Sequence, residues 1–480
     1  MSVQETAPAP GRVETNGVNV IAEAERRGRP RDLFWPWTAA SISVFGISYG
    51  SFALGYGVSA PQALVAGLVG IVAAGLLAGL IAIAGKRGSA PTLVLSRAAF
   101  GVHGNRVPAA FSWVLSVGWE TVLTSLAALA AATVVRELGG SGGNGTLAIA
   151  LVVVIALIVG GGFLGFDAIM RIQTWITYVG VVLTVVYVVL VADRVDLSAV
   201  GDLPGGGVAA LVGVGILMAT ATGLSWVNAA ADYSRYLPRS ASGRGVAGWT
   251  ATGLSVASVV LFVVGIALAG SDARLSEAIG GDPIGALASL LPTWFLVPFV
   301  VVAVVGLVSG ALLDIYSSGL SLLALGLPVS RPTAALLDGA IMVLGSVYVL
   351  FVAPGDFVNQ FQGFLITLGV PIAAWAGVMV ADIALRRRDY DDAALMDPAG
   401  RYGAVGWPAL AVFGVGTVVG WGLVTNTYAG WLTWQGYLMG LVGGKDGAWA
   451  GASLGVVVAL VIGVVGYAAL AAGRVRRSEG

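Results

Sequence analysis

The chain has 480 residues, of which 57% are hydrophobic and only 10% are charged, and its mean hydropathy is +0.90. Soluble domains carry roughly a quarter charged residues, so this composition excludes a water-soluble fold. The 25 basic and 25 acidic residues balance, which gives no indication of nucleic-acid binding. With no cysteine and a single histidine, His103, the sequence predicts no disulfide, no cofactor and no metal site.

The chain begins with a polar stretch rich in proline and glycine, MSVQETAPAPGRVETNGVNVIAEAERRGRPRD. This stretch lacks the apolar core of a secretory signal, so residues 1–32 are predicted to be a disordered cytoplasmic tail. Residues 33–473 then form a single transmembrane domain, and residues 474–480 form a short cytoplasmic C-terminal tail. The loops and tails are too short to bury a soluble core of their own.

A helix crosses a bilayer in about 20 apolar residues, and charged or turn-rich breaks divide the chain into twelve candidate spans. In chain order they lie near residues 35–58, 62–85, 107–135, 146–164, 171–192, 207–237, 246–269, 292–326, 333–352, 358–385, 405–428 and 449–472. The sequence therefore predicts an all-α integral membrane protein with twelve transmembrane helices.

The basic residues orient these spans. If the N-terminus is cytoplasmic and the spans alternate, the cytoplasmic side receives all but four of the 25 basic residues. The four on the other side are Arg136, Arg194, Arg274 and Lys445. Because cytoplasmic loops carry the excess of lysine and arginine, this distribution predicts that both termini are in the cytoplasm.

Spans 1 and 6 contain glycines and hydroxyl residues in their middle, in VFGISYGSFALGYG and in VGVGILMATATGLSWVN. Glycine permits a break in a membrane helix, although glycines also let helices approach closely, and either interpretation fits each span alone. The two spans are five positions apart, as expected for an inverted five-plus-five repeat with discontinuous first helices at a substrate site. Repeat one covers about residues 35–192, repeat two about residues 207–385, and the extra helices about residues 405–472.

Two acids lie deep inside the predicted spans, Glu120 in span 3 and Asp314 in span 8. Helical spacing places each on a small or polar face, with Ser112, Ser116 and Thr124 beside Glu120, and Gly306, Gly310, Ser317 and Ser321 beside Asp314. A buried acid in the hydrocarbon is costly and marks a candidate site, although a protonated acid can also serve only to lock helices together. For Glu120 both interpretations stay open, whereas the cleaner stripe of Asp314 favours a functional role.

The chain resembles the nucleobase-cation symporter family of purine and cytosine permeases at VHGNRVPAAFSWVLSVGWE, ADYSRYLP, LLDIYSSGLS and GVMVAD. The resemblance implies a LeuT-like transporter that imports cytosine, purines, allantoin, uracil or hydantoins together with a cation. It also implies substrate contacts at Phe45, Gly46, Trp119, Gly223, Ser225, Trp226, Asn228, Ala311 and Asp314, with Trp119 stacking on the base. Candidate residues for cation or proton coupling are Ser43, Glu120, Ser309 and Asp314.

The chain departs from the family pattern at three places. Leu123 stands where an amide is common, Ala311 stands where an asparagine is expected, and Gly310 follows Ser309 where sodium-coupled relatives have adjacent hydroxyls. Because of these departures, the substrate of a family member cannot be assigned to this chain. They also favour protons over sodium, because a buried carboxyl can load and release a proton.

The predicted function is secondary active import of a nucleobase or related heterocycle across the plasma membrane, by a chain that suffices as a monomer. An amino-acid or other small-solute symporter of the same architecture is the nearest alternative, and a channel or sensor is a third. An intramembrane enzyme is disfavoured, since the two acids have no recognisable catalytic partner.

Overall fold

The computed structural model describes residues 13–352 and 357–479, and helices dominate this part of the chain. The helices that correspond to the predicted spans are α1a (Phe34–Ser41) and α1b (Phe45–Leu54), α2 (Ala60–Gly88), α3 (Arg106–Glu137), α4 (Asn144–Leu164), α5 (Phe166–Val191), α6 (Val208–Ala221), α7 (Gly243–Ser271), α8 (Leu296–Ala324), α9 (Arg331–Val347), α10 (Phe357–Leu385), α11 (Trp407–Gly422) and α12 (Leu454–Glu479). Within the described ranges, 10 helices are long and apolar enough to cross a membrane, and α1b and α11 are shorter apolar helices. The prediction of an all-α membrane protein is confirmed.

The helices pack in the pairs expected of the five-plus-five repeat. Helix α3 packs against α8, and α2 packs against α7; in each pair, the partners are five positions apart. The contact of α1b with α7 has its counterpart in the contact of α6 with α2, and that of α3 with α4 in that of α8 with α9. The loops before α3 and before α8 each carry two short helices, Thr92–Leu95 with Arg97–Phe100, and Ala273–Gly281 with Pro283–Ala288.

Glycine brings the backbones of α1b and α7 into direct contact. A Cβ atom added to Gly265 would lie 1.9 Å from the carbonyl oxygen of Ile47, and one added to Gly50 would lie 2.2 Å from the carbonyl carbon of Gly265. Neither position therefore has room for a side chain. Close backbone approach of this kind fixes helix pairs in membranes, where lipid offers no hydrophobic driving force.

The N-terminal segment 13–32 packs against one end of the bundle, which we call the tail face. Ile21 is fully buried, and its backbone N–H donates to the carbonyl of Ser89 at 2.7 Å. The prediction of a disordered tail is therefore wrong for residues 13–32, because their polar groups find partners on the helices; residues 1–12 lie outside the described part. Helix α12 also continues to Glu479, so residues 474–479 are helical rather than a separate tail.

Candidate substrate site at the two helix breaks

The first break separates α1a from α1b. Helix α1a ends at Ser41, Ile42 leaves helical geometry with φ −87° and ψ 64°, and α1b begins at Phe45. Helix α8 presses against this break at Gly306, where an added Cβ atom would lie only 2.8 Å from the carbonyl oxygen of Ile42. Helix ends leave backbone polar groups without intrahelical partners, so the break places such groups in the middle of the bundle.

The second break follows α6. Thr222 has φ −114° and ψ −101°, and the chain continues as a 3-10 segment, Gly223–Trp226, followed by turns. Gly223 is required here because an added Cβ atom would lie 2.3 Å from the carbonyl carbon of Ala74 on α2. The hydroxyl of Thr222 donates to the carbonyl of Met218 at 2.6 Å. Both predicted discontinuities are therefore present: the second lies at the predicted Thr222 and Gly223, whereas the first lies just before the glycine-rich stretch, whose Gly46 and Gly50 are helical.

A cavity with an empty volume of about 670 Å³ lies between the two breaks. Helices α1, α3, α6, α7 and α8 all contribute to its wall. Seven of the predicted site residues line it: Ser43, Phe45, Gly46, Trp119, Ser225, Trp226 and Asp314. The structure thus brings most of the predicted substrate contacts together around one space.

Aromatic rings form one part of the cavity wall. Trp119 is 8% exposed, packs edge-on against Phe361 with ring centroids 5.0 Å apart, and its indole N–H has no acceptor among the described residues. Trp226 packs against Trp37, and Phe45 against Tyr49, with centroids 5.6 Å and 5.4 Å apart. Flat aromatic faces beside a free N–H donor suit a planar ligand that also offers acceptors.

Asp314 is the acidic side chain in the described wall of the cavity. It lies on α8 with a 4% exposed side chain, one and two turns beyond Gly310 and Gly306, which also line the space. Gly310 in turn packs against Leu123, whose Cδ1 atom would lie 2.9 Å from an added Cβ atom. The small residues of this face leave room above Asp314, so its carboxyl can reach a ligand in the cavity.

Five other predicted site residues lie outside the cavity wall. Asn228 donates its amide N–H groups to the hydroxyls of Ser112 at 2.8 Å and Ser116 at 3.4 Å, so it fastens the turn after Trp226 to α3. The remaining four are fully or almost fully buried in helix packing: Gly223, Ala311, Ser309 and Glu120. Neither helical spacing nor the resemblance could distinguish side chains that line the cavity from those buried behind it, and the roles of all these residues remain predictions.

Several residues near the site were missed in the sequence. Gln173 on α5 is fully buried and clamps Ser309: the Ser309 hydroxyl donates to Gln173 Oε1 at 2.5 Å, and Gln173 Nε2 donates to the Ser309 carbonyl at 2.9 Å. A polar pair at spacing four, Gln173 and Thr177, was the available signal. Asp338 on α9 is a further buried acid, and it was missed because it lies only five residues inside the predicted edge of span 9.

A vestibule with an empty volume of about 1740 Å³ adjoins the cavity. The two spaces share Phe45, Tyr49, Trp119, Ala221 and Ser225 in their walls. The vestibule then extends past the far end of α1b at Tyr56 to Tyr428 and Ser453 in the segment between α11 and α12. Because α1 starts at the tail face, this vestibule opens toward the opposite end of the bundle.

The tail face is closed by contacts on Glu14. Its Oε1 atom accepts from Arg235 Nη2 at 2.9 Å, from the Tyr236 hydroxyl at 2.5 Å and from the Tyr316 hydroxyl at 3.1 Å. Its Oε2 atom accepts from the backbone N–H of Phe166 at 2.7 Å, and Arg331 Nε donates to the Glu14 carbonyl at 3.0 Å. One tail residue therefore joins the start of α5, the turn after α6, α8 and the start of α9.

A helical membrane bundle with two interrupted helices around a central cavity has the architecture of a secondary transporter. The chain belongs to the family described as "Permease for cytosine/purines, uracil, thiamine, allantoin", whose sequence model matches residues 20–450. It is 21% identical over 475 residues, 98% of each chain, to a Bacillus subtilis (strain 168) protein named "Putative purine-cytosine permease YxlA". These relatives are permeases, so the prediction of a transporter rather than an enzyme is confirmed.

Solved structures share the fold. Mhp1, a nucleobase-cation-symport-1 family transporter solved in a closed conformation with bromovinylhydantoin bound, matches with a TM-score of 0.72, 21% identity and coverage of 98% of this chain and 96% of that one. The inward-facing conformation of Mhp1 matches with a TM-score of 0.63 at the same identity and coverage. A Na+-coupled sialic acid symporter in its outward-open state matches with a TM-score of 0.61, 12% identity and coverage of 92% and 90%.

Proposed function

We propose that this protein imports a nucleobase or a related planar heterocycle by symport with protons. The observation that carries the proposal is the pairing of the Trp119 ring and the Asp314 carboxyl in the wall of one cavity between the two helix breaks. The family includes permeases for cytosine, purines, uracil, thiamine and allantoin, and Mhp1 was solved with a hydantoin bound. All of these contain a heterocyclic ring, and all but thiamine carry ring N–H donors beside carbonyl or ring-nitrogen acceptors.

The chemistry of the wall suits such a ring. An indole face stacks on a flat base, and the free indole N–H of Trp119 or Trp226 can donate to a ring carbonyl or nitrogen. A carboxylate at Asp314 accepts from ring N–H or exocyclic amino groups, and a hydrogen bond to a charged acceptor contributes about 1.5–3 kcal/mol. An amino acid would also need donors for its carboxylate, and the described cavity wall offers no basic side chain for it, only backbone groups at the helix breaks.

Proton coupling is favoured over sodium coupling because the hydroxyl and the carbonyl of Ser309 already have a hydrogen-bond partner. Its hydroxyl and its carbonyl are both engaged by Gln173, at 2.5 Å and 2.9 Å. A sodium ion near the first break would have to compete with this clamp for oxygen atoms. Asp314, by contrast, lies in the cavity wall and can bind a proton directly. A protonophore is therefore expected to abolish uptake, and removal of sodium is expected to leave it unchanged; the reverse result would reject proton coupling.

The charges support one orientation of the chain in the membrane. The excess of basic residues in the loops on the side of the tail face favours a cytoplasmic location for this face, and the vestibule would then open to the exterior of the plasma membrane. The natural absence of cysteine permits a clean test with single exposed cysteines at Lys445 and Arg388. In intact cells, a membrane-impermeant maleimide should label Lys445→Cys and leave Arg388→Cys unlabelled. Labelling of Arg388→Cys alone would invert the proposed orientation.

Uptake of radiolabelled cytosine, adenine, hypoxanthine and allantoin tests the substrate class. At least one compound should accumulate above the empty-vector level in cells that express the protein, and the uptake should saturate. Thermal stabilisation of the purified protein by each compound, compared with a set of amino acids, supplies an independent reading of binding. Stabilisation by amino acids, with no response to any base, would replace the proposal by the amino-acid symporter alternative. Because the whole cavity lies within one chain, a monomer should suffice for transport.

A further inference from the structure

Asp338 occupies a position built for a charged carboxylate. It lies on α9 and is fully buried. Its Oδ1 atom accepts from the indole N–H of Trp113 at 2.7 Å, and its Oδ2 atom accepts from the Ser318 hydroxyl at 3.0 Å. Two donors aimed at the two oxygens of one carboxyl group stabilise its ionised form. Neither Asp338 nor its donors line the cavity described above.

Glu120 has the opposite surroundings. It is fully buried on α3, and neither of its carboxyl oxygens has a hydrogen-bond partner among the described residues. It shares one face of α3 with Trp113, seven residues earlier, and Thr124, four residues later. Trp113 contacts Asp338 on α9, and the Thr124 hydroxyl lies 3.2 Å from Sδ of Met342, one turn further along α9. Glu120 therefore faces the same stretch of α8 and α9 as these two contacts.

The charged groups around Glu120 are acids. On α8 and α9, the groups that act on its charge are Asp314 and Asp338. Helix α4 has no charged residue, and the one acid of α10, Asp382, is paired with Arg386 at 2.6 Å. An ionised Glu120 would thus be a second or third negative charge in the hydrocarbon with no cation beside it, and the nearby Ser318 hydroxyl donates to Asp338 instead, so the ionised form is costly. Glu120 and Asp338 can therefore both be buried here only if at least one of the two carboxyl groups is protonated.

We propose that Glu120 and Asp338 form a carboxyl pair that binds one proton behind the substrate cavity, with the proton on Glu120 and the charge on Asp338. In a transporter this pair is the loading site for the coupling proton, a step that rests on the proposed function. Trp119 precedes Glu120 on α3 and lines the cavity, so the residue proposed to stack on the base and the residue proposed to carry the proton are neighbours on one helix. Ser318, the donor to Asp338, lies one turn from Asp314 on α8, which connects the pair to the cavity from a second side.

Transport in liposomes with the full chain tests the loading step. Wild-type protein should exchange labelled for unlabelled substrate without a gradient, and a one-to-one proton symporter should accumulate substrate up to about tenfold per pH unit of gradient. Glu120→Gln and Asp338→Asn should retain exchange and lose the accumulation, while the exposed acid variant Asp193→Asn should match wild type. Wild-type accumulation in both variants, or loss of exchange in folded variants, would overturn the proposal.

Infrared spectroscopy tests the proton itself without any substrate. Because Asp314 can also carry a proton, Asp314→Asn is the reference protein: at neutral pH it should show the carbonyl band of a protonated carboxylic acid, and adding Glu120→Gln should remove that band. If Glu120→Gln fails to fold, Trp113→Phe and Ser318→Ala, which each remove a donor to Asp338, should alter the pH at which the band is lost. An unchanged band in all of these variants would refute the pair. A band that disappears as expected in a protein that moves no base would instead refute the proposed function and leave the pair in place.

Discussion

Removal of the Glu14 side chain should destabilise the folded protein far more than its place in a terminal segment suggests. The Glu14 side chain is 10% exposed, and its partner Arg235 is not exposed at all. Glu14→Ala leaves that guanidinium with only neutral acceptors, namely the carbonyls of Gly17 and Asn16 and the hydroxyl of Tyr316. It also leaves the backbone N–H of Phe166 without its acceptor.

The size of the expected destabilisation follows from the burial of the ion pair between Glu14 and Arg235. Breaking a buried ion pair by removing one partner costs about 3–5 kcal/mol, because the remaining charge stays buried. The matched control is Asp167→Asn, which breaks the contact of Asp167 with Arg27 on the same face. There the two side chains are 59% and 44% exposed, and an exposed pair contributes about 0–1 kcal/mol. Glu14→Ala should therefore lower the unfolding temperature clearly, and Asp167→Asn hardly at all.

Two measurements check the reasoning. Thermal unfolding of the purified variants in detergent compares the free energies, and labelling of Ser317→Cys by a small thiol reagent reports whether the tail face has opened. Ser317 is 1% exposed, on the side of Asp314 nearer the tail face, so its labelling should be slow in the parent and faster with Glu14→Ala. If Glu14→Ala unfolds and labels like Asp167→Asn, Glu14 does not hold the tail face closed.

Three further predictions concern the cavity and the helix packing. Trp119→Ala should weaken base binding by about 1–3 kcal/mol, or roughly 5- to 150-fold in Kd, while Trp175→Ala, at a 67% exposed ring, should leave the Kd measured by calorimetry unchanged. Asp314→Asn should reveal whether that carboxyl serves the base or the proton: a raised Kd assigns it to the base, lost accumulation with an unchanged Kd assigns it to the proton, and no effect on either leaves it structural. Gly265→Ala should destabilise the protein by about 1–3 kcal/mol in thermal unfolding, because its new Cβ atom would meet the Ile47 carbonyl at 1.9 Å. The control is Gly248→Ala on the same helix, where the new Cβ atom has open space. Equal unfolding temperatures for the two variants would contradict the close contact of α1b and α7.

Hydropathy predicted the helices well because each span must satisfy its backbone within itself, so the membrane imposes one local rule on every segment. The breaks were partly predictable for a related reason, because glycines and hydroxyls in mid-span are visible in the sequence: the break in span 6 lies where they cluster, whereas the break in span 1 lies just before its glycines. Asp314 stood out because an acid on a small-residue face is conspicuous in an apolar chain, whereas Trp119 was singled out by the family resemblance, and both remain predictions as substrate contacts.

The remaining features depend on contacts between distant parts of the chain. In the sequence, Asn228 is only a polar residue at a helix break. Its hydrogen bonds to Ser112 and Ser116 in the structure show that it joins this break to α3. Asp338 reads as an acid near a span end, and its two donors come from α3 and α8. The tail reads as disordered because its composition is polar, and its order comes from cations more than 200 residues away.

The order in which the chain is made gives the tail contact a further consequence. Arg331 follows its acceptor Glu14 by 317 residues, so their bond closes a loop of about two thirds of the chain. During synthesis, the docking surface of the N-terminal segment stays incomplete until the ninth span has emerged and joined the bundle. The tail can therefore dock completely only after the second repeat has packed against the first. A fully docked tail indicates that the permease has been assembled.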